Sequence, residues 1–293
     1  MISSLSINHH TLKWGSRTYV MGILNVTPDS FSGDGLMTQQ DALAASMEQA
    51  RRFVEAGVDI LDIGGESTRP GAEPVAAAIE LERVMPLIEE LVVQLPDILL
   101  SIDTYKASVA EAALEAGVHM VNDVWGLRAD PDLGAVVKRY NVPVILMHNR
   151  SNPKTAEIRD RLGGRYVGVE YDDLLEDVKR ELLQSVELAH KAGIKDEHIL
   201  LDPGIGFGKT VKQNLELLDR LDEIRALGYP VLLGPSRKSF IGYTLDLPPD
   251  QRVEGTGATI SIGIDRGADI VRVHDVTEMV RVARMTDAIV RSG

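Results

Sequence analysis

The chain contains no cysteine among its 293 residues. Disulfides, thiolate metal sites and cysteine nucleophiles are thereby excluded together, and a reducing, cytoplasmic compartment is the natural expectation. Any chemistry must rest on oxygen and nitrogen groups. No stretch approaches the roughly 18–20 apolar residues of a membrane-spanning helix, and residues 1–18 lack the charged start and apolar stretch of a signal peptide. Secretion and membrane insertion are therefore not expected. Clusters of Lys and Arg are also missing, and a formal charge of −13 would repel polyanions, which argues against nucleic acid as a partner. An anionic substrate would have to meet a local cationic pocket. With no low-complexity tract, no shift in composition and 44% hydrophobic residues, the chain is expected to bury a large core as one domain over residues 1–293.

What is present is a repeated alternation: a short β-branched apolar run, a turn holding Gly or Asp, then a longer stretch of helical periodicity. Eight strands are predicted at residues 19–25, 59–64, 98–104, 120–124, 142–148, 198–203, 230–234 and 270–274. Helix-like stretches include residues 41–56, 75–94, 106–116, 172–192 and 277–291, and the Ala-Gly pairs at 56–57, 116–117 and 192–193 mark helix ends. Eight βα units predict an α/β fold, the (β/α)8 TIM barrel, whose usual length is ~250 residues. A doubly wound open sheet is the alternative. Residues 11–20, centred on Gly15-Ser16, read as a hairpin closing the barrel floor, and His9-His10 as solvated tail. At or just past the predicted strand ends stand Asn25, Asp62, Asp103, Asn122, His148, Asp202, Ser236, Arg237, Lys238, Arg272 and His274. Any one of them reads equally well as a cap or a buried hydrogen-bonding residue. Their convergence on the face where barrel enzymes keep their sites points to function.

The longer phrases are GILNVTPDSFSGDG (22–35), DIGGESTRPG (62–71), SIDTYK (101–106), VNDV (121–124), Met147-His148, DPGIGFGK (202–209), SRKSF (236–240) and RVHDV (272–276). In these phrases and in their order, from about Leu12 onward, the chain resembles the dihydropteroate synthases of the pterin-binding family. One departure is visible: the family often has an acidic residue directly after the Ser of SFS, whereas here Gly33 follows Ser32 and Asp34 comes next. GIGFGKT (204–210) only imitates a phosphate-binding loop, because Pro203 stands where that loop needs glycine and Lys209 takes the last glycine position of G-x-G-x-x-G. Pro203 and the alternating glycines are expected instead to bring backbone close to a ligand.

The resemblance implies condensation of 6-hydroxymethyl-7,8-dihydropterin pyrophosphate with 4-aminobenzoate, by a dissociative mechanism without a covalent nucleophile. It assigns the pterin ring to Asp103, Asn122, Met147, Asp202 and Lys238, and pyrophosphate to Asn25, Arg69, Arg272 and His274. It assigns 4-aminobenzoate to Phe31, Thr68, Pro70, Phe207 and Ser239, although Phe31 reads equally as a loop anchor. Lys238, Arg272, His274 and Asp103 are the implied catalytic set, and Asn25 the ligand of an implied Mg²⁺. Sulfonamides should compete with 4-aminobenzoate. A homodimer through the last helices is also implied; Gly263, Ala268 and Ala283 would permit close packing there, although the outer helices of a barrel show such residues anyway. Residues 27–35 and 64–71 hold few apolar side chains, so both loops are expected to order around pyrophosphate and Mg²⁺ before 4-aminobenzoate binds. The competing readings are a pterin-dependent methyltransferase module, which needs no pyrophosphate cradle, and a degenerate barrel that only binds. STRPG, SRKSF and RVHDV favour the synthase.

Overall fold

The computed structural model describes residues 2–26, 39–68, 72–159 and 161–291. It opens with an antiparallel hairpin, β1 (Ser4–Ile7) and β2 (His10–Lys13), which turns at Asn8 in the left-handed region (φ 51°). The hairpin therefore lies earlier than residues 11–20, and His10 opens its second strand instead of belonging to a tail. Gly15-Ser16 serve to lead the chain into the barrel, the Ser16 amide donating to the Lys13 carbonyl at 3.3 Å. The register follows from burial: Leu5, Ile7, Leu12 and Trp14 all pack under the barrel, which the later register would not achieve.

All eight predicted barrel strands are present: β3 (Tyr19–Asn25), β4 (Ile60–Gly64), β5 (Leu99–Asp103), β6 (Met120–Asp123), β7 (Val144–Met147), β10 (Ile199–Asp202), β11 (Leu232–Leu233) and β12 (Ile270–Val273). They form one parallel sheet in the order β10-β7-β6-β5-β4-β3-β12-β11. A bridge between Leu201 and Val231 joins the two outer strands, so the sheet closes into a (β/α)8 barrel and the open doubly wound alternative falls. The predicted helices appear as α1 (Gln39–Ala56), α2 (Ala77–Gln94), α3 (Ala107–Glu115), α5 (Leu174–Lys191) and α10 (Val276–Val290). Between them lie α4 (Leu133–Tyr140), α6 (Val211–Asp219), α7 (Leu221–Arg225), α8 (Ser239–Leu245) and α9 (Val253–Asp265). A second small hairpin, β8 (Ala156–Arg159) and β9 (Gly163–Tyr166), follows β7.

Because successive side chains on a strand point to opposite faces, each barrel strand carries two kinds of residue. One set, including Leu61, Ile63, Leu100, Ile102, Val121 and Leu146, faces outward into the layer shared with the helices. The other set faces inward. At the floor it is apolar, Met21, Ile60, Leu99, Met120, Ile145 and Leu200, sealed from below by the first hairpin. Two residues further along the same faces stand Asp62, Ser101, Asn122, Met147 and Asp202. A single step along the inward row thus turns an oily floor into a polar mouth.

Candidate active site

The inward polar row is tied together by Arg272 on β12. Its Nε donates to Asp62 Oδ2 at 2.6 Å and its Nη2 to Asp103 Oδ2 at 2.5 Å, so one guanidinium spans β4 and β5. Asp62 Oδ2 also accepts from Asn122 Nδ2 at 2.9 Å, which leaves the amide oxygen of Asn122 for a ligand. Asp202 closes the row: its Oδ1 accepts from the Gly204 amide at 2.7 Å. Opposite it, Lys238 Nζ donates to the Ile205 carbonyl and lies 4.4 Å from the centre of the Phe207 ring. Burial pushes the Asp103 carboxyl up to about 7, with Arg272 pulling the other way, and raises Asp202 against the opposing charge of Lys238. The same burial lowers the Lys238 ammonium to about 8, although Asp202 favours its charge. For Arg272 burial works against the charge, but Asp62 and Asp103 outweigh it and hold the guanidinium above its ordinary value.

Two loops deliver the remaining groups. The loop from β11 to α8 is pinned at Arg237, which adopts φ 56°, pairs with Asp275 through Nε at 2.9 Å and accepts on its carbonyl from buried Arg252 at 2.8 Å. Lys238 and Ser239 follow directly from this anchor. Ser236 Oγ lies 3.1 Å from both the amide and Nδ1 of His274, which fixes the imidazole beside the mouth. The loop after β10 depends on Gly204, whose φ is +69° and whose Cβ, if present, would sit 1.8 Å from the His148 carbonyl. Its glycines bring backbone close to His148, Arg150 and Lys238. At the end of β3, Asn25 Oδ1 and Asp103 Oδ2 flank Gly64, at 3.6 and 3.7 Å from where its Cβ would stand. Of these two oxygens, Asp103 Oδ2 already accepts from Arg272.

Of the residues read from the sequence, Asp103, Asn122, Met147, Asp202, Lys238 and Arg272 come together at the mouth, with Asn25, His274 and Phe207 bordering it. Thr68 and Ser239 lie partly exposed in the loops after β4 and β11. Phe31, Arg69, Pro70 and Asp34 lie outside the described residues. Arg272 has a role the sequence did not reveal, since it bridges carboxylates. Asp62 stood among the strand-end polar residues but received no ligand role: a lone strand-end Asp looks like a cap, and only its position two residues beyond inward-facing Ile60 gives its place in the site away. The expected packing role of Gly263, Ala268 and Ala283 is corrected. A Cβ at Gly263 would meet Leu233 at 2.1 Å, and Ala268 and Ala283 are buried in the core, so all three face the barrel. Among the described residues no group of three or more His, Asp or Glu side chains is placed to hold a metal ion.

Comparison with known proteins agrees with this geometry. The pterin binding enzyme family matches residues 21–274. A dihydropteroate synthase of Clostridium beijerinckii is 50% identical over 278 residues, 94% of this chain and 96% of the relative. Among solved structures, the dihydropteroate synthase of Clostridium difficile in the presence of pteroic acid is similar at 51% identity and TM-score 0.85, covering 95% of this chain and 98% of that one. The Yersinia pestis enzyme in complex with a sulfonamide drug is similar at 40% identity and TM-score 0.88, covering 99% and 100%.

Proposed function

Since the chain belongs to the pterin binding enzyme family and, within it, to the dihydropteroate synthases, we propose how this barrel carries out that synthesis. The reaction joins 6-hydroxymethyl-7,8-dihydropterin pyrophosphate to 4-aminobenzoate, giving 7,8-dihydropteroate and pyrophosphate for folate biosynthesis. The observation that carries the assignment of roles is the inward row of Asp103, Asn122, Asp202 and Arg272 facing Lys238. The pyrimidine edge of a pterin offers adjacent N–H donors, and the Asp202 carboxylate matches them with two charge-assisted hydrogen bonds. Asn122 and Asp103 take the neighbouring nitrogens, Met147 gives an apolar surface, and Lys238 donates to O4 and N5, which a carboxylate cannot do.

The bond that breaks joins the pterin methylene carbon to the pyrophosphate oxygen, which leaves with the electron pair. The ring spreads the positive charge, so departure precedes attack and no covalent nucleophile is needed. Among the described residues Asp62 and Asp103 engage two of the five N–H donors of Arg272, and we assign the leaving anion to Arg272 together with His274 and Arg69. Donors aimed at developing charge are usually the largest catalytic contribution. The arylamine nitrogen then attacks the methylene and loses its proton afterwards. We assign 4-aminobenzoate to a slot bordered by Phe207, Ser239 and Thr68, with Pro70 and Phe31 assigned to it on the resemblance, and sulfonamides to the same slot as its mimics.

The Asn25 oxygen beside Gly64 fits a hard divalent cation that keeps few protein ligands, and Asn25 would hold Mg²⁺ there. When bound, the ion supplies positive charge to the departing pyrophosphate. A second copy of the chain would cover Ile262, Met285 and Ile289, large apolar side chains that are 48%, 63% and 65% exposed on α9 and α10. The test of the function is release of pyrophosphate measured with each substrate alone and with both. Release at full rate without 4-aminobenzoate would make the protein a pyrophosphohydrolase and defeat the assignment.

A further inference from the structure

The imitation phosphate loop at residues 204–210 carries a lysine, Lys209, that the mechanism above does not use. Lys209 is 2% exposed, so its ammonium cannot meet a substrate. Its three donors are all engaged: Nζ reaches His148 Nδ1 at 2.9 Å, the Gly204 carbonyl at 2.9 Å and the Phe207 carbonyl at 3.1 Å. Burial lowers the Lys209 ammonium well below its ordinary value, so the tautomer of His148 is set from its other side: Glu181, paired with Arg150, is a carboxylate and can only accept, which leaves Nδ1 bare to accept from Lys209. The proton of His148 then sits on Nε2, 3.0 Å from Glu181 Oε2, and Glu181 is in turn held by Arg150 Nε at 2.9 Å. Burial and the Lys209 charge lower His148 to about 3, consistent with a neutral ring. Other donors hold the rest of the loop, Tyr171 Oη on the Gly208 carbonyl at 2.9 Å and Lys238 Nζ on the Ile205 carbonyl.

We propose that Lys209, oriented by the His148–Glu181 pair, is a positioning residue that sets the 204–208 loop and with it the Phe207 wall of the 4-aminobenzoate slot. The pterin subsite depends on this loop less, because Asp103, Asn122, Met147 and Asp202 are carried by barrel strands and the loop meets them only through the Gly204 amide on Asp202 and the Ile205 carbonyl on Lys238. The proposal rests on the reading of Phe207 as a slot residue.

Lys209→Met keeps the length of the side chain and removes all three donors. A displaced slot wall should raise KM for 4-aminobenzoate about tenfold or more, while calorimetry shows the affinity for a pterin lacking pyrophosphate within about threefold of the parent. His148→Gln retains an acceptor toward Lys209 and a donor toward Glu181, so it should keep the parent KM. His148→Phe, which retains neither, should reproduce the Lys209→Met profile. Unchanged KM in Lys209→Met, equal loss of pterin and aminobenzoate affinity, or equal impairment of the Gln and Phe variants would overturn the proposal. Phe207→Ala separates the two readings: if it too leaves KM unchanged, the slot assignment fails; if it raises KM while Lys209→Met does not, only the positioning role fails. In the unmodified enzyme, ¹⁵N shifts of His148 should report the Nε2–H tautomer, and the Nδ1–H tautomer would refute the proposal whether or not the variants fold.

Discussion

Burial brings Asp103 and Lys238 toward neutrality from opposite sides, the carboxyl up to about 7 and the ammonium down to about 8. A protonated carboxyl keeps one acceptor but loses the charge and turns its other oxygen into a donor, so the charge-assisted Asp103 contact is present above about 7 and weakens as pH falls through it. The Lys238 ammonium is a full donor below about 8 and loses that role as pH rises. Affinity for a pterin lacking pyrophosphate, measured by calorimetry, should therefore be bell-shaped with its maximum between these values. Asp103→Asn should remove the acid limb and Lys238→Met the alkaline one; a flat profile in the parent enzyme would show that neither group titrates against the ring. Asp202→Asn should weaken the same ligand by about 1.5–3 kcal/mol, the usual worth of a hydrogen bond to a charged group, since an amide offers one acceptor where two N–H groups need two. Unchanged affinity would remove Asp202 from the site. At this scale the long phrases made residues conspicuous but did not by themselves give each of them a role. Asp62 and Lys209 were opaque because their roles are set by what they face across the barrel, which no local pattern records.

At the scale of elements, the strands were legible because each is buried on both faces and bounded by Gly or Asp turns, leaving apolar runs such as Ile60–Gly64 that stand out. The hairpins were harder. The β8–β9 pair has few buried side chains, so no alternation marks it. The N-terminal hairpin was shifted because Gly15-Ser16 is a stronger turn signal than Asn8-His9, yet burial of Leu5, Ile7, Leu12 and Trp14 decides the register. If packing under the floor is what holds that hairpin, Leu5→Ala, at a position 1% exposed, should cost about 2–5 kcal/mol of stability in urea unfolding. Both Michaelis constants should stay unchanged, since the floor lies beneath the polar row. A variant of parental stability would mean that the hairpin contributes no packing energy.

Across the whole molecule the site is layered by depth. Asp202 and Asn122 lie within the barrel at 5% and 3% exposure, whereas Thr68, Phe207 and Ser239 are partly exposed on the loops above the strand ends. A ligand in the upper slot would cover the way to the lower one, so pterin pyrophosphate should enter first and 4-aminobenzoate second. This order follows from depth alone. A sulfonamide, alike in shape and charge to 4-aminobenzoate, should then bind only after the pterin is seated. Steady-state inhibition should be competitive against 4-aminobenzoate and uncompetitive against pterin pyrophosphate, because the inhibitor captures a complex that already holds the first substrate. Calorimetric titration of the sulfonamide should give clear heat with pyrophosphate and a pterin present and little without them, as a site completed by the first ligand binds the second more tightly. Competition of the sulfonamide with pterin pyrophosphate would place both in one subsite, and the layered plan of the mouth would have to be abandoned.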